Sequence, residues 1–241
     1  MYIMKIKYNE QKLIYSLLAY NFFGRISIMF LSAIYPADPN LFLNCILLWG
    51  AMIYVWIPQI VNYLKNPEFT HIIFKHSKTS KPKVTEVMTI VVLFSFSIII
   101  YNLLYSTFKL EYLFTSHIEL FGNLGLLSFF IQITYFVVEV LMMTIVVARV
   151  QELTSKRKDI IPYGGIFLAF TWGLSHFITG SSLAGSILMD ISWVYSDILS
   201  SYALITGLYY VIISLLIGAI FIILKRDLCY AFPIIALLYI L

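Results

Sequence analysis

Seven apolar stretches, at 13–35, 41–63, 86–108, 121–148, 161–180, 203–224 and 228–241, divide this chain between short polar connections. All but the last are long enough to cross a hydrocarbon core of about 30 Å as helices. In lipid every backbone polar group needs an internal partner, which leaves helices and closed barrels as spanning structures. The apolar and polar alternation of a barrel strand is absent, so the pattern predicts an all-α, polytopic membrane protein. Composition agrees: 61% of the 241 residues are hydrophobic and 12% charged, where a soluble domain carries about 25%. The final stretch has 14 residues, short for a crossing, and segment 183–201 is ambiguous. The expected count is seven crossings with one interfacial or re-entrant helix, or eight crossings if 183–201 also spans.

No polar stretch exceeds the 22 residues of 64–85, so one membrane domain over 1–241 is expected, with N-terminal helices at 13–108 and a core at 121–241. The apolar stretch after the basic Met1–Lys12 segment is longer than a signal-peptide core and lacks a clear cleavage site, which makes it a first membrane helix. The net charge of +4 reports topology, not nucleic-acid binding. Lys5, Lys7 and Lys12, five lysines in 64–85, four basic residues in 149–159, and Lys225 with Arg226 can all face the cytoplasm if 183–201 does not span. The N-terminus is then cytoplasmic, and Asp38, Glu111, Glu119, Asp190 and Asp197 fall outside or near the outer face. Pro36–Asn40, Gly122, Gly125 and the run Pro162-Tyr163-Gly164-Gly165 punctuate the helices. Cys45 and Cys229 lie in or at apolar segments and suggest neither a disulfide framework nor a cysteine zinc site.

Within 121–148 the only carboxylate is Glu139. An ionised carboxylate at mid-membrane costs on the order of 3 kcal/mol, so it faces the interior, is protonated, or has a partner. His176 is the second intramembrane ionisable group of note, after Trp172 at i−4. Glu139 lies ten residues before Arg149, about 15 Å deep, and His176 thirteen residues after Tyr163, about 20 Å deep from the same side. On consecutive antiparallel helices the two can meet, and a carboxylate with an imidazole can hold and deprotonate a water. A neutral histidine bonded to a backbone carbonyl remains open for His176. Arg25 and Asn21 read as interhelical glue or a snorkelling arginine. Asp190, Trp193 and Asp197 suit a solvated face, and His71, His76 and His117 solvated loops. A zinc site from His176, Glu139 and an aspartate has no close-spaced ligand pair behind it, and no cofactor is expected.

The stretch Val138-Glu139-Val140-Leu141-Met142-Met143-Thr144 resembles the first motif of the CAAX protease and bacteriocin-processing (CPBP or Abi) family: a double glutamate, three residues, then arginine. Ala169 to His176 resembles the second, an aromatic followed after three residues by histidine, with Trp172 as the aromatic. Leu215–Phe221 and Pro233–Leu241 are similar to the closing helices, so the resemblance covers about residues 130–241. It implies a bundle of the intramembrane glutamate-protease type in a bacterial plasma membrane, with Glu139 and His176 activating water. A later histidine and asparagine would stabilise the oxyanion. The chain departs from this pattern. Val138 stands at one glutamate and Met143 at the arginine, no histidine follows His176, and no asparagine follows Asn123. A rival register, Gln151-Glu152 with Lys156, lies far in depth from His176.

Two main functions follow from the resemblance. The leading one is a catalytically impaired, protease-like protein that binds a peptide or membrane partner, of bacteriocin-immunity or scaffold type. The alternative is an active intramembrane endopeptidase, with Tyr230 or Tyr239 donating to the oxyanion. Trp172, Met143, Tyr230 and Tyr239 would line the cavity in either case. A small transporter subunit, with Glu139 as proton or ion site, is the third reading.

Overall fold

The computed structural model describes residues 57, 60, 61, 65, 83–154, 161–174 and 201–241. Among these residues the regular structure is helical throughout, with no strand. His176, segment 183–201, Arg25, Asn21 and the first two apolar stretches lie outside the described residues, apart from residues 57, 60, 61 and 201.

Helix α1, Val84–Tyr105, begins where the Lys83 backbone N–H donates to the Glu86 carboxylate at 2.7 Å, half of a capping box. It ends at Ser106, whose φ of 57° is left-handed and costs a non-glycine residue about 1–2 kcal/mol. Helix α2, Lys109–Phe121, follows after a break of three residues. The sequence reading assigned no helix here, because 109–120 is too short and too charged to span. Gly122, at φ 53°, stops α2, and a 3-10 turn over Gly122–Leu124 leads into α3, Gly125–Thr154. Thirty residues give α3 a length of about 45 Å.

Helix α4, Tyr163–Leu168, continues as a π-helical turn over Ala169–Gly173. The run at Pro162–Gly165, expected to punctuate helices, does so only at Pro162; its glycines sit inside α4 as packing surfaces. A Cβ on Gly164 would collide with the Val147 carbonyl oxygen of α3. One on Gly165 would meet the Cα of Gly218 at 2.8 Å. Small residues of this kind let helix backbones approach closely in membranes. Helix α5, Ser201–Ile223, carries Gly218 and ends in a Schellman motif: Arg226 N–H donates to Phe221 O, and Lys225 N–H to Ile222 O. Helix α6, Leu228–Ile240, starts at Asp227, whose carboxylate accepts from the Cys229 N–H at 2.9 Å.

The ends of these helices gather at one level. Lys225 pairs with Glu86 at 3.7 Å, bringing the end of α5 to the start of α1. The glycine contacts bring the starts of α4 and the ends of α3 and α5 together. Lys83, Arg149, Lys225 and Arg226 therefore belong to one end of the bundle, the grouping that the charge distribution predicts. Two helical segments are long and apolar enough to cross a membrane among the described residues, Val84–Leu103 and Gly122–Glu152. Gly207–Ile223 and Leu228–Ile240 are shorter apolar helices. Helix α1 turns Met88, Val91, Val92, Phe96, Ile99 and Leu103 outward, an exposed apolar stripe suited to lipid.

Candidate functional site

Counting up from the basic end, three helices deliver polar side chains to one depth. Glu139 is eight residues from Val147 on α3, and Trp172 eight from Gly164, each about 12 Å by helical rise. Tyr239 is eleven residues from the start of α6, about 16 Å. The start of α6 sits beyond the glycine crossing, so the three side chains meet.

Glu139 is 2% exposed, and its carboxylate gathers donors from three helices. Oε1 accepts from the Tyr135 hydroxyl at 3.2 Å, one turn earlier on α3, and from the Trp172 indole Nε1 at 3.1 Å. Oε2 accepts from the Tyr239 hydroxyl at 3.1 Å. Trp172 is held in the π-helical turn, the kind of local widening often found at functional positions. Its ring packs edge-on against Tyr210 at 5.2 Å and tilted against Tyr239 at 5.7 Å. Tyr239 in turn meets Phe136 edge to face at 5.3 Å.

Lys109, the first residue of α2, joins this cluster from the other side. Its ammonium lies 4.0 Å from the Tyr239 ring centroid and 5.5 Å from that of Phe136. It donates to the Tyr239 backbone carbonyl and feels the charge of Glu139. Lys109 is buried, a rare position for a lysine without partners. The break between α1 and α2 thus falls at the depth of Glu139, since Tyr101 near the end of α1 packs against Tyr209 at 5.4 Å, and Tyr209 against Tyr210.

Of the residues singled out in the sequence, Glu139, Trp172 and Tyr239 come together. Met143 is buried one turn along α3 from Glu139. Tyr230, also expected to line the cavity, is 45% exposed and nine residues from Tyr239, about 14 Å along α6. His176 lies outside the described residues, so its expected contact with Glu139 does too. His117 is a further correction, because it is buried between α2 and α3 and not solvated in a loop. Its Nδ1 lies 2.6 Å from the Ser128 hydroxyl, and its Nε2 meets the Gln132 amide oxygen.

The rival register has a structural job instead. Gln151 donates to the Ile161 carbonyl at 3.0 Å and accepts from the Gly164 N–H at 3.1 Å, which fixes the start of α4. Glu152 pairs with Arg149 at 3.0 Å.

Two members of the cluster went unread in the sequence. Tyr135 had a usable signal, four residues before Glu139 on one helical face. Lys109 had a weaker one: with Arg25 it is a basic residue left out of the cytoplasmic set. Among the described residues no three His, Cys, Asp or Glu side chains converge as metal ligands would. Chemically, the cluster is a carboxylate used as an acceptor for neutral donors, flanked by an ammonium on aromatic faces. No family model, no curated protein and no solved structure matches the chain.

Proposed function

We propose that this chain is a divergent CPBP-type membrane protein of seven or eight crossings whose protease centre has become a fixed polar anchor. It binds a peptide or membrane partner without cutting it, as an immunity or scaffold protein would. The single observation behind this reading is the set of three donors on Glu139. A general base must offer a lone pair to water within hydrogen-bond reach. Two tyrosines and the indole take three of the carboxylate's roughly four lone-pair sites and hold it in place between three helices, the arrangement of an anchor. The family assignment draws support from Trp172, the aromatic of the second motif, which reaches Glu139 across 33 residues of sequence. It also draws on the closing helix, whose Tyr239 hydroxyl is spent on Glu139 itself and not left for an oxyanion.

The same reading expects the basic end of the bundle in the cytoplasm of a bacterial cell, by the charge bias of its loops. Single cysteines at Lys78 and Lys156, in a background without Cys45 and Cys229, will resist an impermeant thiol reagent in intact cells. Labelling of either one from outside reverses the orientation. For function, the test is whether Glu139→Gln and His176→Ala keep the phenotype that deleting the chain reveals. A binding protein keeps it in His176→Ala and keeps part of it in Glu139→Gln, since glutamine preserves size and an acceptor oxygen but not the charge; an endopeptidase loses it in both.

One observation favours the transporter reading instead. The α1–α2 break lies at the depth of a carboxylate and an ammonium, and discontinuous helices of this kind form transporter sites when they come in pairs. No second break with this relation occurs among the described residues, so binding remains the preferred reading.

A further inference from the structure

Lys109 and its surroundings belong to different parts of the chain. The ammonium comes from α2, and everything that recognises it comes from α3 and α6. Tyr239 and Phe136 present ring faces at 4.0 and 5.5 Å, the Tyr239 carbonyl accepts a hydrogen bond, and Glu139 holds the Tyr239 hydroxyl at 3.1 Å. An ammonium desolvated against an aromatic face is attracted by the negative face of the ring, and aromatic cages are how proteins select alkylammonium groups. The cage is rigid: Phe136 and Tyr239 lock edge to face, and the Tyr239 hydroxyl is held by Glu139.

The occupant is less firmly built in. Lys109 is the first residue of a 13-residue helix, next to a three-residue break that opens at the left-handed Ser106. The far half of α2 is fastened to α3 through His117, Ser128 and Gln132. Release of the first turn alone would free the lysine side chain while the rest of α2 stays docked through these contacts. Tyr112 and Phe114, just beyond that turn, are exposed.

We infer that Tyr239, Phe136 and Glu139 form a recognition site for a primary ammonium on an alkyl stem, filled from within by Lys109, and that a lysine side chain of a peptide partner displaces it. The inference rests on reading this cluster as the partner-binding centre, and it names the chemistry of the partner. Recognition needs no reaction at the site. Internal occupancy makes wild-type binding weak, because an external ammonium meets a free cage only in the fraction of molecules where Lys109 has left.

The test uses the purified full chain in detergent. Lys109→Ala removes the stem beyond Cβ and leaves space for n-propylammonium. Thermal unfolding of this variant is followed against n-propylammonium chloride, with propan-1-ol and sodium chloride as controls. The expected result is saturable stabilisation of Lys109→Ala by the amine alone, half-maximal at a concentration about tenfold or more below that needed by wild type. Equal responses in the two proteins, no response, or an equal effect of propanol overturn the proposal.

Should Lys109→Ala not fold, the wild type decides. Lys109 will resist reductive methylation, followed by mass spectrometry. N,N-Dimethylpropylammonium, which reductive methylation cannot modify further and which keeps the alkyl stem and one N–H donor, will accelerate its modification relative to sodium chloride at equal ionic strength. An unchanged rate overturns the proposal. A lysine-bearing peptide and its norleucine counterpart then separate peptide recognition from recognition of free amines: only the lysine peptide should stabilise Lys109→Ala. A silent cage leaves the anchoring role of Glu139 intact, whereas peptide cleavage would end that role and leave the cage standing.

Discussion

Glu139→Leu will destabilise the protein by on the order of 3–5 kcal/mol, the range for breaking a buried charged centre by removing one partner. Leucine fills the site with comparable bulk but branches one carbon earlier, so repacking is the smaller part of the loss. The larger part comes from Tyr135, Trp172 and Tyr239, which all lose the acceptor they share. A buried donor left without its acceptor costs about 1–3 kcal/mol, and the three costs overlap because the side chains can readjust. Lys109 loses its counter-charge in the same step. Glu139→Gln will cost less, about 1–2 kcal/mol, because the amide oxygen still accepts while the amide nitrogen opposes one donor. Thermal or denaturant unfolding in detergent measures both. Equal effects of leucine and glutamine would mean that the carboxylate does not hold the helices together.

Trp172→Ala will have an effect of similar size, about 3–5 kcal/mol, through a different physical route. Trp172 is 2% exposed and fills the space between Tyr210, Tyr239 and Glu139. Alanine leaves a cavity that the close glycine crossings nearby cannot collapse into, because Gly165 and Gly218 already touch. Trp172→Phe separates the two contributions. It keeps most of the ring and removes the indole N–H, so its cost of about 1–2 kcal/mol reports the hydrogen bond to Glu139. If phenylalanine costs as much as alanine, the hydrogen bond dominates and the packing argument fails. If phenylalanine costs nothing, the indole does not serve Glu139.

The helical class and the central role of Glu139 could be read from the sequence because both rest on one strong physical rule. Lipid forbids unpaired polar groups, so long apolar runs become helices and a lone carboxylate among them acquires partners. Trp172 was singled out only as the aromatic before His176, the residue that depth counting from the basic loops matched to Glu139. Tyr239 was readable as the one polar side chain in an otherwise apolar stretch from Ile234 to Leu241. Tyr230 shares its helix and its chemistry, and only the register against α3 distinguishes the two.

Helix α2 and Lys109 were not readable for a related reason. Hydropathy detects crossings, and 13 residues carrying Lys109, Glu111, His117 and Glu119 do not look like one. Their burial depends on tertiary partners: the Tyr239 carbonyl for Lys109, and Ser128 with Gln132 for His117. Each polar group on the buried side of α2 is matched by one on α3 or α6. Such matching appears only once the helices are docked.

Whether Glu139 serves as an anchor or as a catalytic base is tested most directly by cleavage. The wild-type chain, reconstituted in a bilayer, is incubated with a library of soluble and membrane-tethered peptides and the products are read by mass spectrometry. The account predicts no cleavage above that of the Glu139→Gln variant. Peptide cleavage by the wild type that disappears in both Glu139→Gln and His176→Ala would contradict it and identify a working protease.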